Sequence, residues 1–250
     1  MDEQTIEIIG TRLANRAYLF RVFHIIFGAE PSEDELKTLS DQATLNAFEY
    51  LKDQVQNDQR VTLTDDQEDA VDSSATEILT HTLEHFVALG AKIGDAEYID
   101  SLKSAYTRLF LVPGESYVYP WESPYVGTTA VIFTQSTLDV RKRFRAEGFV
   151  AQEYHHFPED HIAMMLDFLA HLSNRAFDAF GDGDDEEFVL ILDAQKQFIS
   201  LHLTNWLHSF QEDLDKKDGS GIYSQFTRAL RVFLKFDELF LEDVLSRKWL

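Results

Sequence analysis

The chain has 250 residues, 22 Lys and Arg against 44 Asp and Glu, a net charge of −22, and no cysteine. The missing thiols exclude disulfides, thiolate nucleophiles and cysteine-ligated iron–sulfur or zinc sites, while the negative field disfavours nucleic acid and anionic lipid and favours cationic partners. A chain of this length closes one large core or two modest ones, and its acidic start (Asp2, Glu3) lacks the basic and apolar regions of a secretory leader, so a cytoplasmic protein beginning at Met1 is expected.

In chain order, Ile8, Ile9, Leu13, Ala17, Phe20, Phe23 and Phe27 recur at three- and four-residue spacing, which predicts an amphipathic helix over 4–27, stopped by Gly28 and Pro31. This greasiest stretch is interrupted by Arg21 and His24, so no stable membrane insertion is expected. Ser32 and Glu35 have the form of a capping box, and Leu36, Leu39, Ala43, Phe48 and Leu51 extend a second helix to about residue 52. Residues 53–77 hold eight acids and one base and read as an acidic connector. Helical spacing resumes at Ile78, Leu79, Leu83, Phe86 and Leu89, and again at Ile99, Leu102, Tyr106, Leu109 and Phe110.

Residues 111–128 contain three prolines, two glycines, three tyrosines and one tryptophan, which forbids a regular helix and predicts a long ordered loop, the kind of connection that carries function. Helices are then expected at 135–147, 158–180, 185–214 and 221–247, for seven to nine in all and no sheet. The predicted fold class is all-α, in a single domain of residues 1–250.

Four stretches invite a chemical reading. His81, Glu84 and His85 form HTLEH, whose spacing sets two imidazoles one helical turn apart as in an inverted zinc-peptidase motif, with Glu159 downstream; the same segment also reads as an ordinary amphipathic helix. EYHHFPEDH crowds Glu153, His155, His156, Glu159, Asp160 and His161. Pro158 followed by two acids also suits a helix start, with the acids complementing its dipole. GDGDDEE (181–187) lacks the ligand spacing of a calcium loop, and RKRFR (141–145) in so acidic a chain reads as internal ion pairs or solubility. There is no glycine-rich phosphate loop and no G-x-S-x-G.

Taken together and in order, YTRLFLVPG (106–114), PWESPY (120–125), PEDHIAMMLDFLAHL (158–172) and FISLHLTNWLHSF (198–210), followed by IYSQFTRAL with Tyr223, resemble the TorD/DmsD family of cytoplasmic chaperones for molybdenum-containing redox enzymes. The resemblance covers residues 98–236. Leu102 stands where that family often has an acid, Pro124 where it has an apolar residue, and the first hundred residues match only as helical pattern.

The resemblance implies an all-helical, non-enzymatic chaperone, monomeric or dimeric, with no tightly held cofactor and no metal. Its implied partner is the twin-arginine signal peptide of a molybdopterin-dependent oxidoreductase precursor, held back from export until the cofactor is inserted. A receptor for two arginines and an apolar run should present carboxylates beside an aromatic-lined groove. On that basis Asp160 is the first candidate for an arginine contact, and His161 shapes the site beside it. Trp121, Glu122 and Tyr125 of the proline-rich loop form a second group, and His202 with Trp206 a third. The alternative is a metal-dependent hydrolase built on His81, Glu84 and His85.

Overall fold

A computed structural model of the chain describes residues 2–61, 74–127, 131–150 and 158–246. Eleven α-helices appear among them and no strand: α1 (Glu3–Gly28), α2 (Glu33–Leu39), α3 (Gln42–Asn57), α4 (Ala75–Ala91), α5 (Ala96–Tyr106), α6 (Ser123–Val126), α7 (Gln135–Ala146), α8 (Ile162–Asp182), α9 (Asp185–His202), α10 (Leu207–Lys217) and α11 (Ile222–Leu245). The fold is all-α, with a helix count above the expected seven to nine. Residues 62–73 of the acidic connector lie outside the described residues, as do 128–130 of the long loop and Glu153, His155 and His156 of EYHHFPEDH, while the ends of the expected connector are helical, in α3 to Asn57 and in α4 from Ala75.

Several boundaries differ from expectation, and α6, a single turn with Pro124 at its start, falls within the long loop where no regular helix was expected, because proline is tolerated in a helix's first turn. The predicted helix after Pro31 splits into α2 and α3, because the Ser32–Glu35 capping box starts one helix and Asp41 starts the next by accepting from Thr44 N–H at 2.8 Å. The segment predicted as one helix over 185–214 breaks between α9 and α10. There Asn205 donates to the Leu201 carbonyl at 2.8 Å and Thr204 lies against the Ile199 and Ser200 carbonyls, side-chain bonds that compete with helical pairing. The helix expected from Pro158 starts instead at Ile162, so Pro158, Glu159 and Asp160 precede it rather than forming its first turn.

The chain groups into two compact units. The first comprises Met1–Gly28, Pro120–His208 and Asp237–Leu250. Its core is built on α1 lying against α8. The three- and four-residue spacing of Leu13, Phe20, Phe23 and Phe27 faces the stripe of Met165, Leu166, Leu169 and Leu172, all buried. Each fully buried side chain of this size contributes about 1.5–3 kcal/mol by leaving water. Phe144 of α7, Phe168 of α8 and Phe198 of α9 form an aromatic run with ring centroids 4.6 and 4.8 Å apart, and Phe198 in turn lies 5.2 Å from the His202 ring. Arg16 and Asp237 make a buried bidentate pair at 2.6 and 2.8 Å. Gly183 closes α8 with φ +73°, the left-handed conformation glycine adopts without Cβ strain.

The second unit comprises Ala29–Tyr119 and Ser209–Phe236. Here α3 and α4 pair through Phe48 and Phe86 at 5.0 Å, and Phe86 stacks on Phe226 at 5.2 Å. Leu36, Leu89 and Leu102 make a smaller core. Asp218 starts α11 by accepting from the N–H groups of Tyr223 and Ser224 at 2.8 and 3.1 Å. The helix predicted through Phe110 runs as α5 to Tyr106 and then widens into a π-helical turn, Thr107–Leu111. An open groove of about 800 Å³ lies beside that turn, lined by Glu30, Asp100, Lys103, Arg108, Val112 and Glu115; it contains none of the predicted site residues.

Candidate peptide-binding site

All seven residues singled out from the sequence fall in the first unit, and all seven take part in contacts that join the proline-rich loop to α7, α8 and α9. The loop is tied to the start of α8 by an antiparallel bridge between Trp121 and His161, in which Glu122 N–H donates to the Asp160 carbonyl at 3.0 Å and Ile162 N–H to the Pro120 carbonyl at 2.9 Å. Pro158 to His161 form a turn in which His161 N–H donates to the Pro158 carbonyl at 3.2 Å, and α8 begins directly after it at Ile162. The Trp121 and His161 rings meet edge to face at 5.2 Å.

Asp160 is 0% exposed. Its Oδ2 accepts from the Ser123 N–H at 2.9 Å and from the Ser123 hydroxyl, and its Oδ1 accepts from the Thr137 hydroxyl at 2.9 Å. One enclosed carboxylate thereby holds the start of α6, the first turn of α7 and the approach to α8. As folded, both oxygens face donors of the protein itself, and a guanidinium has no open path to them.

His161 caps α8, its Nδ1 accepting from Ala163 N–H at 3.1 Å. That bond requires a lone pair on Nδ1, so the ring is neutral with its proton on Nε2. Burial drives its pKa down to about 3, helped by the neighbouring His24. His24 itself faces the Ala163 carbonyl through Nδ1 at 2.9 Å.

Glu122 and His202 form the second junction. The carboxylate is 2% exposed and lies 2.9 Å from His202 Nδ1. On the opposite edge of the ring, His202 Nε2 is 2.9 Å from Asp139 Oδ2, which also accepts from Arg143 Nε at 2.9 Å. The result is a chain of polar contacts, Glu122 to His202 to Asp139 to Arg143, running from the buried loop to the half-exposed face of α7. The Arg143 hydrogen bond, with that of His202, holds the Asp139 carboxyl below the usual carboxylate range.

Trp206 is 1% exposed and donates from Nε1 to the His202 carbonyl at 2.7 Å. Tyr125 stacks on its face at 5.3 Å and 20°. Tyr125 is half-buried, so the pair forms an aromatic floor with one ring inside and one reaching outward.

Sequence reasoning missed Ser123, Thr137 and Asp139, whose short polar side chains look like ordinary loop and helix-surface residues until the fold brings Asp160 and His202 against them. RKRFR does make internal ion pairs: Arg141 grips the buried Glu159 through two bonds of 2.5 and 2.9 Å, and Arg143 holds Asp139. The hydrolase alternative finds no support. His81 and Glu84 are exposed, Glu159 is engaged by Arg141, and no group of three potential ligands gathers among the described residues. No described helix is long and apolar enough to cross a membrane.

The profile of the nitrate reductase delta subunit family matches residues 65–212, which contain every residue of the candidate site. The chain is 29% identical over 169 residues to chaperone protein TorD of Vibrio cholerae serotype O1 strain O395, covering 67% of this chain and 75% of that protein. It is 31% identical over 143 residues to chaperone protein TorD of the V. cholerae strain N16961, covering 57% and 63%, and 28% identical over 140 residues to that of Photobacterium profundum, covering 56% and 63%. These relatives are named as chaperones, not as enzymes. With the profile spanning more than half of its length, the chain belongs to the nitrate reductase delta subunit family, that of the TorD/DmsD chaperones.

Proposed function

We propose that this chaperone binds the twin-arginine signal peptide of a molybdopterin-dependent oxidoreductase precursor in the cytoplasm, and that it holds the precursor back from export while cofactor insertion and folding are completed. The whole chain, residues 1–250, acts as one chaperone domain, as a monomer or dimer. The observation that carries this reading is the convergence of Trp121, Glu122, Tyr125, Asp160, His161, His202 and Trp206 in one unit, where carboxylates and aromatic faces stand together. A peptide with two guanidiniums and an apolar run is complementary to both features, since guanidinium pairs with carboxylate and stacks on aromatic rings. The net charge of −22 adds long-range attraction for a basic leader.

Within the site the roles divide by exposure. Asp160 and His161, both enclosed, fix the loop and the helix start. Tyr125, half-buried and backed by the enclosed Trp206 ring, supplies an aromatic face, and Asp139, at the open end of the Glu122 to Asp139 chain, supplies the charge.

The test is capture of the tagged protein from its host's cytosol, with bound proteins identified by mass spectrometry. Recovery of a molybdoenzyme precursor that is lost when its twin-arginine leader is deleted supports the reading. Expression of such a precursor without its capture overturns it.

A further inference from the structure

Among the described residues four carboxylates surround the site, and they differ in access. Asp160, Glu159 and Glu122 are 0%, 1% and 2% exposed, each already satisfied by Ser123 and Thr137, by Arg141, or by His202. The fourth, Asp139, has a side chain 39% exposed, and its partner on the open side is Arg143, one helical turn away on the same helix. An ion pair between residues four apart on a helix surface is among the weakest, so an incoming guanidinium displaces Arg143 at little cost. Displacing Arg141 from the buried Glu159 would break a bidentate pair and leave an enclosed carboxylate behind.

The surroundings of Asp139 point the same way. Leu138 beside it is exposed, and Val131, Ile132 and Phe133, immediately before α7, are exposed as well. Phe133 is 53% exposed and holds φ +69°, the one non-glycine residue in the left-handed region among the described residues. An exposed aromatic side chain in that conformation is strained, and strain of this kind gathers at ligand clamps. The guanidinium of Arg141 lies over its ring at 5.3 Å. The chain's own arginines thus hold an exposed carboxylate on one side of α7 and an exposed aromatic ring on the other, Asp139 and Arg141 being two positions apart on the helix.

We propose, resting on the peptide-binding reading above, that Asp139 is the carboxylate that receives an arginine of the bound peptide, with Arg143 as its stand-in in the free protein. Val131, Ile132, Phe133 and Leu138 take the apolar run that follows the arginines. Binding at Asp139 reaches the interior through His202 and Glu122, so an arriving arginine also bears on the loop that carries Trp121 and Tyr125.

The test uses the full-length chain and two synthetic peptides, one with paired arginines before an apolar run and one with paired lysines there, in a fluorescence anisotropy titration. Asp139→Asn should weaken the arginine peptide about tenfold and bring its affinity close to that of the lysine peptide, because the planar bidentate contact is lost. Arg143→Gln should tighten the arginine peptide several-fold by freeing the carboxylate. Its site is a half-exposed helix surface, so it keeps the test decisive even if Asp139→Asn fails to fold. An unchanged affinity in Arg143→Gln, or equal losses for both peptides in Asp139→Asn, overturns the assignment and leaves Asp139 as a support for His202. If the wild-type chain binds neither peptide, the peptide-binding reading itself fails, and the assignment with it.

Discussion

The Glu122 carboxylate and the His202 imidazole, 80 positions apart in sequence, meet at 2.9 Å inside the first unit. Glu122 comes from the proline-rich loop and His202 from the last turn of α9, so this one bond fastens the loop to the helical frame. Because both groups are buried, removing His202 leaves the Glu122 carboxylate without this partner, and removing Glu122 leaves His202 Nδ1 unpaired with only its Asp139 contact remaining, losses that cost more than the intact pair contributes. Glu122→Gln and His202→Gln should each destabilise the protein by about 2–4 kcal/mol, and a double-mutant cycle followed by urea unfolding should give a coupling of about 1–3 kcal/mol. Additive losses would mean that the two side chains act independently.

Asp160→Asn replaces an oxygen by an NH₂ facing the donors of Ser123 or Thr137. The enclosed amide then offers a donor where an acceptor is needed, and a loss of about 1–3 kcal/mol in unfolding free energy is expected. Any weakening of peptide binding should accompany a looser loop, visible as faster amide exchange at Ser123. A variant of wild-type stability with normal exchange, binding peptide poorly, would show instead that Asp160 meets the ligand directly.

His161 makes stability depend on pH with a definite sign. In the unfolded chain a histidine takes up its proton near pH 6.5, whereas burial delays protonation in the folded state to about pH 3. Its contribution is fully present above about pH 6.5 and falls, by up to about 1.4 kcal/mol per pH unit, as the pH drops toward 3. His161→Asn keeps an oxygen that can cap α8 and removes the titration. Its melting temperature should fall less steeply than that of the wild type between pH 7 and pH 5, and parallel slopes would refute the linkage.

Tyr125 and Trp206 give a spectroscopic handle. Tyr125→Ala removes a stacked ring from a buried indole, a loss of about 0.5–1.5 kcal/mol, and should alter Trp206 emission by opening its face to water. Addition of an arginine-rich apolar peptide should shift the same emission in the wild type. Emission that ignores both the substitution and the peptide would place the aromatic pair outside the binding event.

Much of the helical frame was legible in the sequence because it depends on local chemistry. The stripe through Leu13, Phe20, Phe23 and Phe27, the Ser32–Glu35 box and the Asp218-Gly219-Ser220-Gly221 break before α11 are each encoded within a few residues. A second box, Ser74 with Glu77, starts α4 inside the stretch read as acidic connector, so the helix begins earlier than its first apolar position, Ile78, suggested. The break between α9 and α10 was hidden because it contains neither proline nor glycine, only side chains that compete for helix carbonyls.

The identity of the candidate site followed from short stretches in order, PWESPY, PEDH and HLTNW, and the all-α class followed from periodicity; the sequence by itself determined these. The tertiary structure alone decided what each group faces. Two acids one residue apart from helix-start positions, Glu159 and Asp160, both read as dipole partners, yet one is gripped by Arg141 and the other by Ser123 and Thr137. Asp139 looked like an ordinary helix-surface acid until folding brought His202 against it. Burial and hydrogen-bond partners arise from residues 18 to 80 positions apart, and a periodic pattern carries no record of contacts at that separation.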